Sequence, residues 1–322
     1  MSKTVLKDPA DRKAYIITGP TSGIGRATAF ELSRHGTVIL VGRDRQKLDE
    51  VQLTIKQNGG DAVSVVCDLS DSRSVRRAAG EIIGLGLPIA GVLNNAGISP
   101  LKPSRSVEGW DLTFATNYLG PFALTEALLP HLSDGTQVVF IASAVEDPER
   151  KPAKVIGMQG GRYISVAASA RGEWKSGGSK LPGADAYATS KQCVLAAVLA
   201  FAREEPRLRF NAIEPGITPG TGLGRDANPI LAWLFGRVLT LFPPFSQYRS
   251  TPKRAAGVIT RILTDPSVTT GVYYDERGQP MLGSPLVRNL NFQDQVVAET
   301  RAFLAKAFST AAFPATAELP AK

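Results

Sequence analysis

The apolar run Ala14-Tyr15-Ile16-Ile17 leads directly into Thr18-Gly19-Pro20-Thr21-Ser22-Gly23-Ile24-Gly25, and from there into a helical stretch, Arg26 to Arg34. A buried strand, a glycine-rich turn and a helix in that order constrain the fold more than any other local pattern of this chain. The turn must sit at the strand's carboxyl end, with the helix packed back on the strand. Backbone N–H groups and the helix dipole at such a turn attract an anionic phosphate. Glycine has no Cβ, so the backbone can approach a pyrophosphate closely. The plainer alternative is an ordinary strand–helix turn, since glycine clusters are common in turns.

The rest of the chain continues the pattern. Strands are predicted near 14–19, 37–42, 62–67, 89–95, 136–142, 207–213 and 270–274. Helices fill most intervals, with a last one near 291–308. Such alternation implies an α/β fold: a doubly wound parallel sheet of Rossmann type with helices on both faces. A length of 322 residues and a hydrophobic content of 43% suit one large domain over 1–322. Residues 1–12 read as a polar tail, and 310–322, rich in Ala, Pro and Thr, as a disordered one.

Composition excludes several classes. The net charge is +8, but the basic residues are scattered and no Lys/Arg tract or nucleic-acid motif occurs, so no nucleic-acid partner is expected. Cys67 and Cys193 are too few for a disulfide framework and read as reduced core thiols of a cytoplasmic protein. Met1 to Arg12 has no apolar core of a signal peptide, and no run reaches transmembrane length. His35 and His131 are isolated, so no metal site is expected.

Tyr187 and Lys191 lie four residues apart in Tyr187-Ala188-Thr189-Ser190-Lys191, on one face of a helix. A phenol beside an ammonium is an acid/base device, and the cation is expected to lower the phenol's pKa toward the working pH. The same spacing also serves helix packing. Ser143 closes the strand Val138-Val139-Phe140-Ile141, and Asn117 is a polar residue within an apolar helical stretch, where a buried amide needs a partner.

Together these motifs resemble the short-chain dehydrogenase/reductase family. Thr18, Gly19, Gly23 and Gly25 match its glycine motif, Asn94-Asn95-Ala96-Gly97 its Asn-Asn-Ala-Gly motif, and Asn117, Ser143, Tyr187 and Lys191 its catalytic set. Pro215-Gly216 follows a strand, and the resemblance runs over roughly residues 12 to 305. It implies that Tyr187 donates a proton to the substrate oxygen as hydride leaves the nicotinamide. Ser143 polarises that oxygen, Lys191 tunes Tyr187 and binds the nicotinamide ribose, and Asn117 holds a water linking Lys191 to solvent. The implied cofactor-binding set is Gly19, Thr21, Ser22, Gly23, Ile24, Gly25, Arg43, Asp68, Leu69, Asn95, Ala96, Gly97, Tyr187, Lys191, Pro215, Gly216, Ile217 and Thr218. Asp68-Leu69 matches the adenine-contacting pair.

Cofactor choice is read at Val41-Gly42-Arg43-Asp44. An NAD site wants a carboxylate where Gly42 stands, to accept from the ribose 2′-hydroxyl. The Arg43 guanidinium suits a 2′-phosphate instead, which favours NADP(H). The alternative is that Arg43 is a solvated loop charge and Asp44 serves NAD.

Three departures narrow the branch. Residues 144–183 form a long insertion before Tyr187, including Gly160-Gly161-Arg162, Trp174 and Ser176-Gly177-Gly178, read as an irregular loop that either shapes the substrate pocket or is disordered. The usual threonine after Pro215 is replaced by Gly220, which leaves Thr218 and Thr221 as candidates to meet the carboxamide. The 217–250 region is strongly apolar from Ile230 to Phe245, including Trp233 and Phe242, and reads as a lid over a lipophilic substrate, a core-packed helix or a membrane-surface patch. Thr221-Gly222-Leu223, Phe242-Pro243-Pro244-Phe245, Gly271-Val272-Tyr273 and Cys193 resemble light-dependent protochlorophyllide oxidoreductases and the related retinol-dehydrogenase-like reductases. The photoenzyme's cysteines are replaced by Ile217 and by Leu93 or Asn94, which favours ordinary dark carbonyl chemistry. The expected substrate is a bulky lipophilic carbonyl compound or alcohol, and the expected assembly a monomer or homodimer. The alternatives are a ring or C=C reductase of the photoenzyme type and a non-catalytic NADP-binding regulatory protein.

Overall fold

The computed structural model describes residues 13–155, 157–181, 183–218, 241–243 and 245–310. The two terminal tails read from the sequence therefore lie outside the described residues, apart from the last helical residue, Thr310. Most of the apolar stretch at 217–250, with Trp233, also lies outside them.

The first half alternates β1 (Ala14–Thr18), α1 (Gly23–Leu32), β2 (Thr37–Gly42), α2 (Arg45–Gln57), β3 (Asp61–Val66), α3 (Ser72–Gly84) and β4 (Ile89–Asn94). One helical run then passes through α4 (Leu112–Phe114), a π turn (Ala115–Leu119) and α5 (Gly120–Leu128) to β5 (Gln137–Ile141). The second half holds α6 (Lys151–Val155), α7 (Val166–Ala170), α8 (Ala184–Glu204), β6 (Arg209–Ile213), α9 (Pro252–Thr264), β7 (Val272–Tyr274), β8 (Pro280–Met281) and α10 (Leu290–Thr310).

The strands form an eight-stranded sheet in the order β3-β2-β1-β4-β5-β6-β7-β8. All neighbours are parallel except β7 and β8. This is the doubly wound Rossmann-type fold expected from the alternation. The antiparallel β8 edge was not foreseen, because Pro280-Met281 is too short to carry a period-two signal. Strand order reverses between β1 and β4, so their carboxyl ends open a crevice where ligands of such sheets bind.

Alternation along each strand sorts the core into two layers. Ile16, Ile39 and Val92 face one side, with Tyr118, Phe122, Val194, Phe201 and Val296 from the helices there. Tyr15, Ile17, Val38 and Leu40 face the other, against Leu32, Ile55, Ile259 and Leu263. Side-chain caps set helix starts: Asp71 accepts from Arg73 N at 2.9 Å and Ser74 N at 3.3 Å, and Thr251 accepts from Arg254 N at 3.2 Å ahead of Pro252. Cys67 and Cys193 are free and buried, as their apolar surroundings predicted.

The 144–183 insertion is not irregular throughout: it carries α6 and α7. It is pinned to the body of the protein. Arg162 N donates to Thr189 Oγ1 at 2.8 Å and Ser179 N to Asp185 Oδ1 at 2.9 Å, both on α8. Tyr163 Oη donates to Glu299 Oε2 on α10 at 2.8 Å, and Trp174 meets Phe114 edge-on at 6.4 Å.

Candidate active site

The glycine-rich turn is held by side-chain bonds rather than by its own backbone alone. Thr18 Oγ1, at the end of β1, accepts from Asn95 N at 2.9 Å and Ala96 N at 3.0 Å. In return Asn95 Nδ2 donates to Thr18 O at 2.8 Å and Gly19 O at 3.1 Å. These bonds bind the β1–α1 turn to the loop after β4, across the switch point. A Cβ on Gly25 would fall 2.3 Å from Gly19 O, and Gly19 itself has φ +67°. Side chains are thus excluded where the turn bends back, and Thr21, Ser22, Gly23 and Ile24 bring the amino end of α1 to the crevice. The result is a side-chain-free turn at the amino end of α1, a chemistry that fits the phosphates of a dinucleotide.

Arg43 is exposed at the bend after β2. Asp44 is engaged elsewhere: it caps α2 by accepting from Lys47 N at 3.2 Å and pairs with Lys47 Nζ at 2.9 Å. A Cβ on Gly42 would lie 3.3 Å from Leu48 Cδ2, a close contact that the leucine side chain would have to ease. Asp68 Oδ1 accepts from Ser70 N at 2.9 Å and Ser70 Oγ at 2.7 Å, holding the turn after β3, and Leu69 is buried beside it.

Asn117 sits in the π turn, a widened helical turn frequent at functional sites. Its Oδ1 accepts from Ile98 N at 2.8 Å, and its Nδ2 donates to Ile98 O at 2.9 Å and Ser190 Oγ at 3.2 Å. The amide thus finds protein partners on the 98 backbone and on α8. A Cβ on Gly97 would stand 3.4 Å from Asn117 Oδ1 and 3.7 Å from Lys191 Nζ. Asn117, Gly97 and Lys191 therefore converge on one spot.

Lys191 is buried, and its Nζ donates to Ile141 O at 2.7 Å at the end of β5. Ser143, two residues beyond that carbonyl, is buried at the end of β5 on the side of Tyr187. Tyr187 and Lys191 share one face of α8 as their spacing predicted, with Nζ 5.7 Å from the phenol ring centroid. Their electrostatics differ from the expectation. Burial pushes the Tyr187 phenol up, the Glu214 carboxylate adds to the rise, and the nearby Ser143 hydroxyl opposes it. Burial lowers Lys191 to about 8, with Glu214 working the other way. Desolvation dominates here because Tyr187 packs among Ala153, Met158, Ala184 and Ala188. Part of that wall is the insertion.

The Pro215–Thr218 loop closes the site. Gly216 has φ +76°, and Ile217 is clamped by Ile217 N to Tyr248 O at 2.8 Å and Ser250 N to Ile217 O at 2.9 Å. Thr218 Oγ1 donates to Gly216 O at 3.2 Å; Thr221 lies outside the described residues. Phe242 is exposed and Phe245 buried, so the described end of the apolar stretch is mixed rather than uniformly core or surface.

Glu214 had no role assigned from the sequence. It follows β6 directly, beside the end of β5, and its Oε2 accepts from Ala144 N, next to Ser143. The only available signal was an acidic residue ending a buried strand. Among the described residues no His/Cys/Asp/Glu group could hold a metal, and no helix is long and apolar enough to cross a membrane.

A doubly wound sheet with a phosphate cradle at its switch point, and a serine, a tyrosine and a lysine gathered beside it, defines a nucleotide-dependent oxidoreductase. A family model described as short chain dehydrogenase matches residues 13–152. The chain is 29% identical over 292 residues to protochlorophyllide reductase B, chloroplastic, of Hordeum vulgare, covering 83% of this chain and 72% of that protein. Polyprenol dehydrogenase of Mus musculus is 36% identical over 145 residues, 42% of this chain and 43% of the mouse protein. A short chain dehydrogenase structure from Shigella flexneri 2a, complexed with NADP, superposes with a TM-score of 0.59 at 28% identity, covering 83% of this chain and 97% of that one. The amino-proximal part of the chain thus matches the short chain dehydrogenase family, and the relatives it is similar to, a protochlorophyllide reductase and a polyprenol dehydrogenase, are in keeping with the branch that its motifs resemble.

Proposed function

We propose that this chain, acting as one NADP-binding domain, is an NADP(H)-dependent oxidoreductase for a carbonyl or alcohol group on a bulky lipophilic substrate. The observation that carries this reading is the buried Tyr187 phenol on the same face of α8 as the buried Lys191, whose ammonium is tied to the end of the strand that leads to Ser143. Gly19 and Thr21 to Gly25 would hold the pyrophosphate, Arg43 the 2′-phosphate, and Asp68 and Leu69 the adenine. Asn95 to Gly97 and Pro215 to Thr218 would flank the nicotinamide, which when bound supplies or takes the hydride.

Tyr187 then acts as the general acid for reduction, and Ser143 orients the reacting oxygen. Releasing the proton leaves a phenolate in a poorly solvated pocket beside Glu214, which is costly. Lys191, charged below its value of about 8, offsets that cost. Asn117, through Ile98 and Ser190, holds the helix carrying Lys191 against the crevice.

The test is a screen of lipophilic ketones, aldehydes and alcohols by NADPH absorbance, repeated with Tyr187→Phe. The variant should lose about 10²–10⁴-fold in kcat while binding NADPH as before. More than a few per cent of residual activity would place the acid elsewhere.

A second reading is a protochlorophyllide-type ring reductase, supported by the similarity to the barley reductase. Ile217 and Leu93 or Asn94 stand where the photoenzyme has cysteines, which weighs against it. Turnover that needs both a pigment and light would favour it over the first reading.

A further inference from the structure

Ser143 opens a single 3-10 turn, Ala144–Glu146, and the last residue of that turn is a glutamate with no exposed surface. Its carboxyl is engaged at both oxygens: Oε1 accepts from Ser284 N and Oε2 from Ser284 Oγ, each at 2.7 Å. Its backbone is engaged as well. Glu146 N donates to Ser143 O at 3.2 Å, and Gly161 N of the insertion donates to Glu146 O at 2.9 Å. Ser284 belongs to the segment between β8 and α10, which crosses close over α8. A Cβ on Gly283 would stand 2.6 Å from Leu195 Cδ2 and 3.2 Å from Glu146 Oε1. Leu195 is four residues beyond Lys191, as Lys191 is beyond Tyr187. The clasp between Glu146 and Ser284 thus lies against the helix that carries both groups, one turn past the lysine.

Packing does not account for a carboxyl at this place. Among the described residues its surroundings supply hydrogen bonds but no cation. Burying a carboxyl without a cation is costly, and an apolar side chain of similar volume is often at least as stable in such a position. What the carboxyl adds is direction. Two oxygens meeting two donors of one residue hold the side chain in one orientation, which apolar contact does not. The bonds also survive a change of charge, because a neutral carboxyl can accept from Ser284 N and donate to Ser284 Oγ.

We propose that Glu146 is a positioning residue for Ser143: with Ser284 it fixes the far end of the turn that the serine opens. The near end is fixed by the sheet, where Ala142 N donates to Ile213 O at 2.9 Å. Ala144 N, bonded to the Glu214 carboxyl, holds the middle. Ser143 is therefore strung between two anchors, and its hydroxyl stands where they leave its backbone. A displacement of about 1 Å at a reacting group is enough to cost roughly a hundredfold in rate. For its effect on turnover the inference rests on the oxidoreductase reading of the site; for its effect on the turn it does not.

The experiment compares the full wild-type chain with Glu146→Gln, which still offers Ser284 one acceptor and one donor, and with Glu146→Leu, which keeps the bulk and removes both. The first readout is amide hydrogen exchange, followed by mass spectrometry. In Glu146→Leu the amides of 144–147 should exchange more than about tenfold faster, while those of β5 and α8 and the melting temperature hold at wild-type values or better. The second readout is reduction of 9,10-phenanthrenequinone by NADPH. Glu146→Leu should lose at least about tenfold in kcat, with KM and the Kd for NADPH within about twofold of wild type. Glu146→Gln should restore both slow exchange and wild-type kcat.

Wild-type exchange in Glu146→Leu would overturn the proposal, and so would a loosened turn that leaves kcat unchanged. An equal loss in Glu146→Gln would overturn it too, since charge rather than hydrogen-bond geometry would then be what matters. If Glu146→Leu does not fold, Ser284→Ala decides: it should speed exchange over 144–147 and lower kcat by about threefold, and wild-type values for either would overturn the proposal. If the wild type does not reduce the quinone while exchange follows the expected pattern, the oxidoreductase reading is what fails, and the anchoring of the serine turn stands.

Discussion

The amino-proximal and carboxyl-proximal halves of the crevice are built on different principles. On the β1–β4 side the working groups are backbone atoms, and few side chains intervene. Thr18 and Asn95 bind two loops to each other, and glycine at position 25 lets them touch. On the β5–β6 side the working groups are side chains with ionisable ends: Ser143, Tyr187, Lys191 and Glu214. Their properties are set by what covers them. The first half is fixed by covalent geometry and tolerates almost nothing. The second half is tuned by desolvation and charge, and can change chemistry without changing fold.

This contrast can be broken most severely at Gly25. Gly25→Ala puts a Cβ against backbone rather than against a movable side chain. It should weaken NADPH binding by more than about a hundredfold and destabilise the fold by roughly 3 kcal/mol, read by fluorescence titration and thermal melting. Unchanged binding would show that the cradle is not geometric.

The tuned half predicts a pH effect of similar size in stability alone. Glu146, wholly buried, accepts from Ser284 N and Ser284 Oγ, each at 2.7 Å, and burial pushes its carboxyl from 4.5 up to about 7. The folded state therefore holds a proton that the unfolded chain releases. As pH rises from about 4.5 to 7, this group should cost the folded state up to about 3 kcal/mol, and below that window it costs nothing. Glu146→Gln should remove that slope, so the gap between variant and wild-type melting temperatures should widen from pH 5 to pH 7.5. A constant gap would mean that Glu146 is already charged in the folded protein.

Arg43→Ala sharpens the comparison more gently, because the guanidinium is exposed and its effect screened. The preference for NADPH over NADH should drop about tenfold, by roughly 1.4 kcal/mol, in paired titrations. An unaltered preference would mean that another group reads the 2′-phosphate. Smallest should be Phe242→Asp. Phe242 is 59% exposed, so its loss should leave the melting temperature within a degree or two while raising KM for a polycyclic ketone by about threefold, close to 0.7 kcal/mol of lost apolar contact. Unfolding of the variant would mark the position as core.

The same contrast explains what could be read in the sequence. The sheet was legible because strands buried on both faces, such as Tyr15 to Ile17 and Val38 to Val41, leave long apolar runs between helical stretches. The glycines, Asn95, Ser143, Tyr187 and Lys191 were legible because each must occupy a set place along a strand end or helix face. The ionisation of Tyr187 was misjudged. Spacing reveals that Lys191 lies on the same face, but Met158 and Ala153, which dry the phenol, come from a segment far along the chain. Glu214 escaped for a related reason: only the pairing of β5 with β6 shows which strand end its carboxyl meets. Secondary structure inside 144–183 was hidden because α6 and α7 are five residues each, too short to display a helical period.

The π turn at Ala115–Leu119 has a consequence for how this chain can vary in length. A wide turn carries one residue more than an α-helix needs to cover the same rise, and each residue advances a regular helix by about 100°. Loss of one residue between Ala115 and Leu119 would let α4 and α5 fuse into an even spiral that spans the same rise, with Phe114 before the turn and Phe122 and Leu124 after it keeping their faces. Phe114 would keep Trp174, but the widened turn that presents Asn117 to Ile98 and Ser190 would be gone. The extra residue is thus a local device: the frame of the helix could do without it, and the place of Asn117 could not.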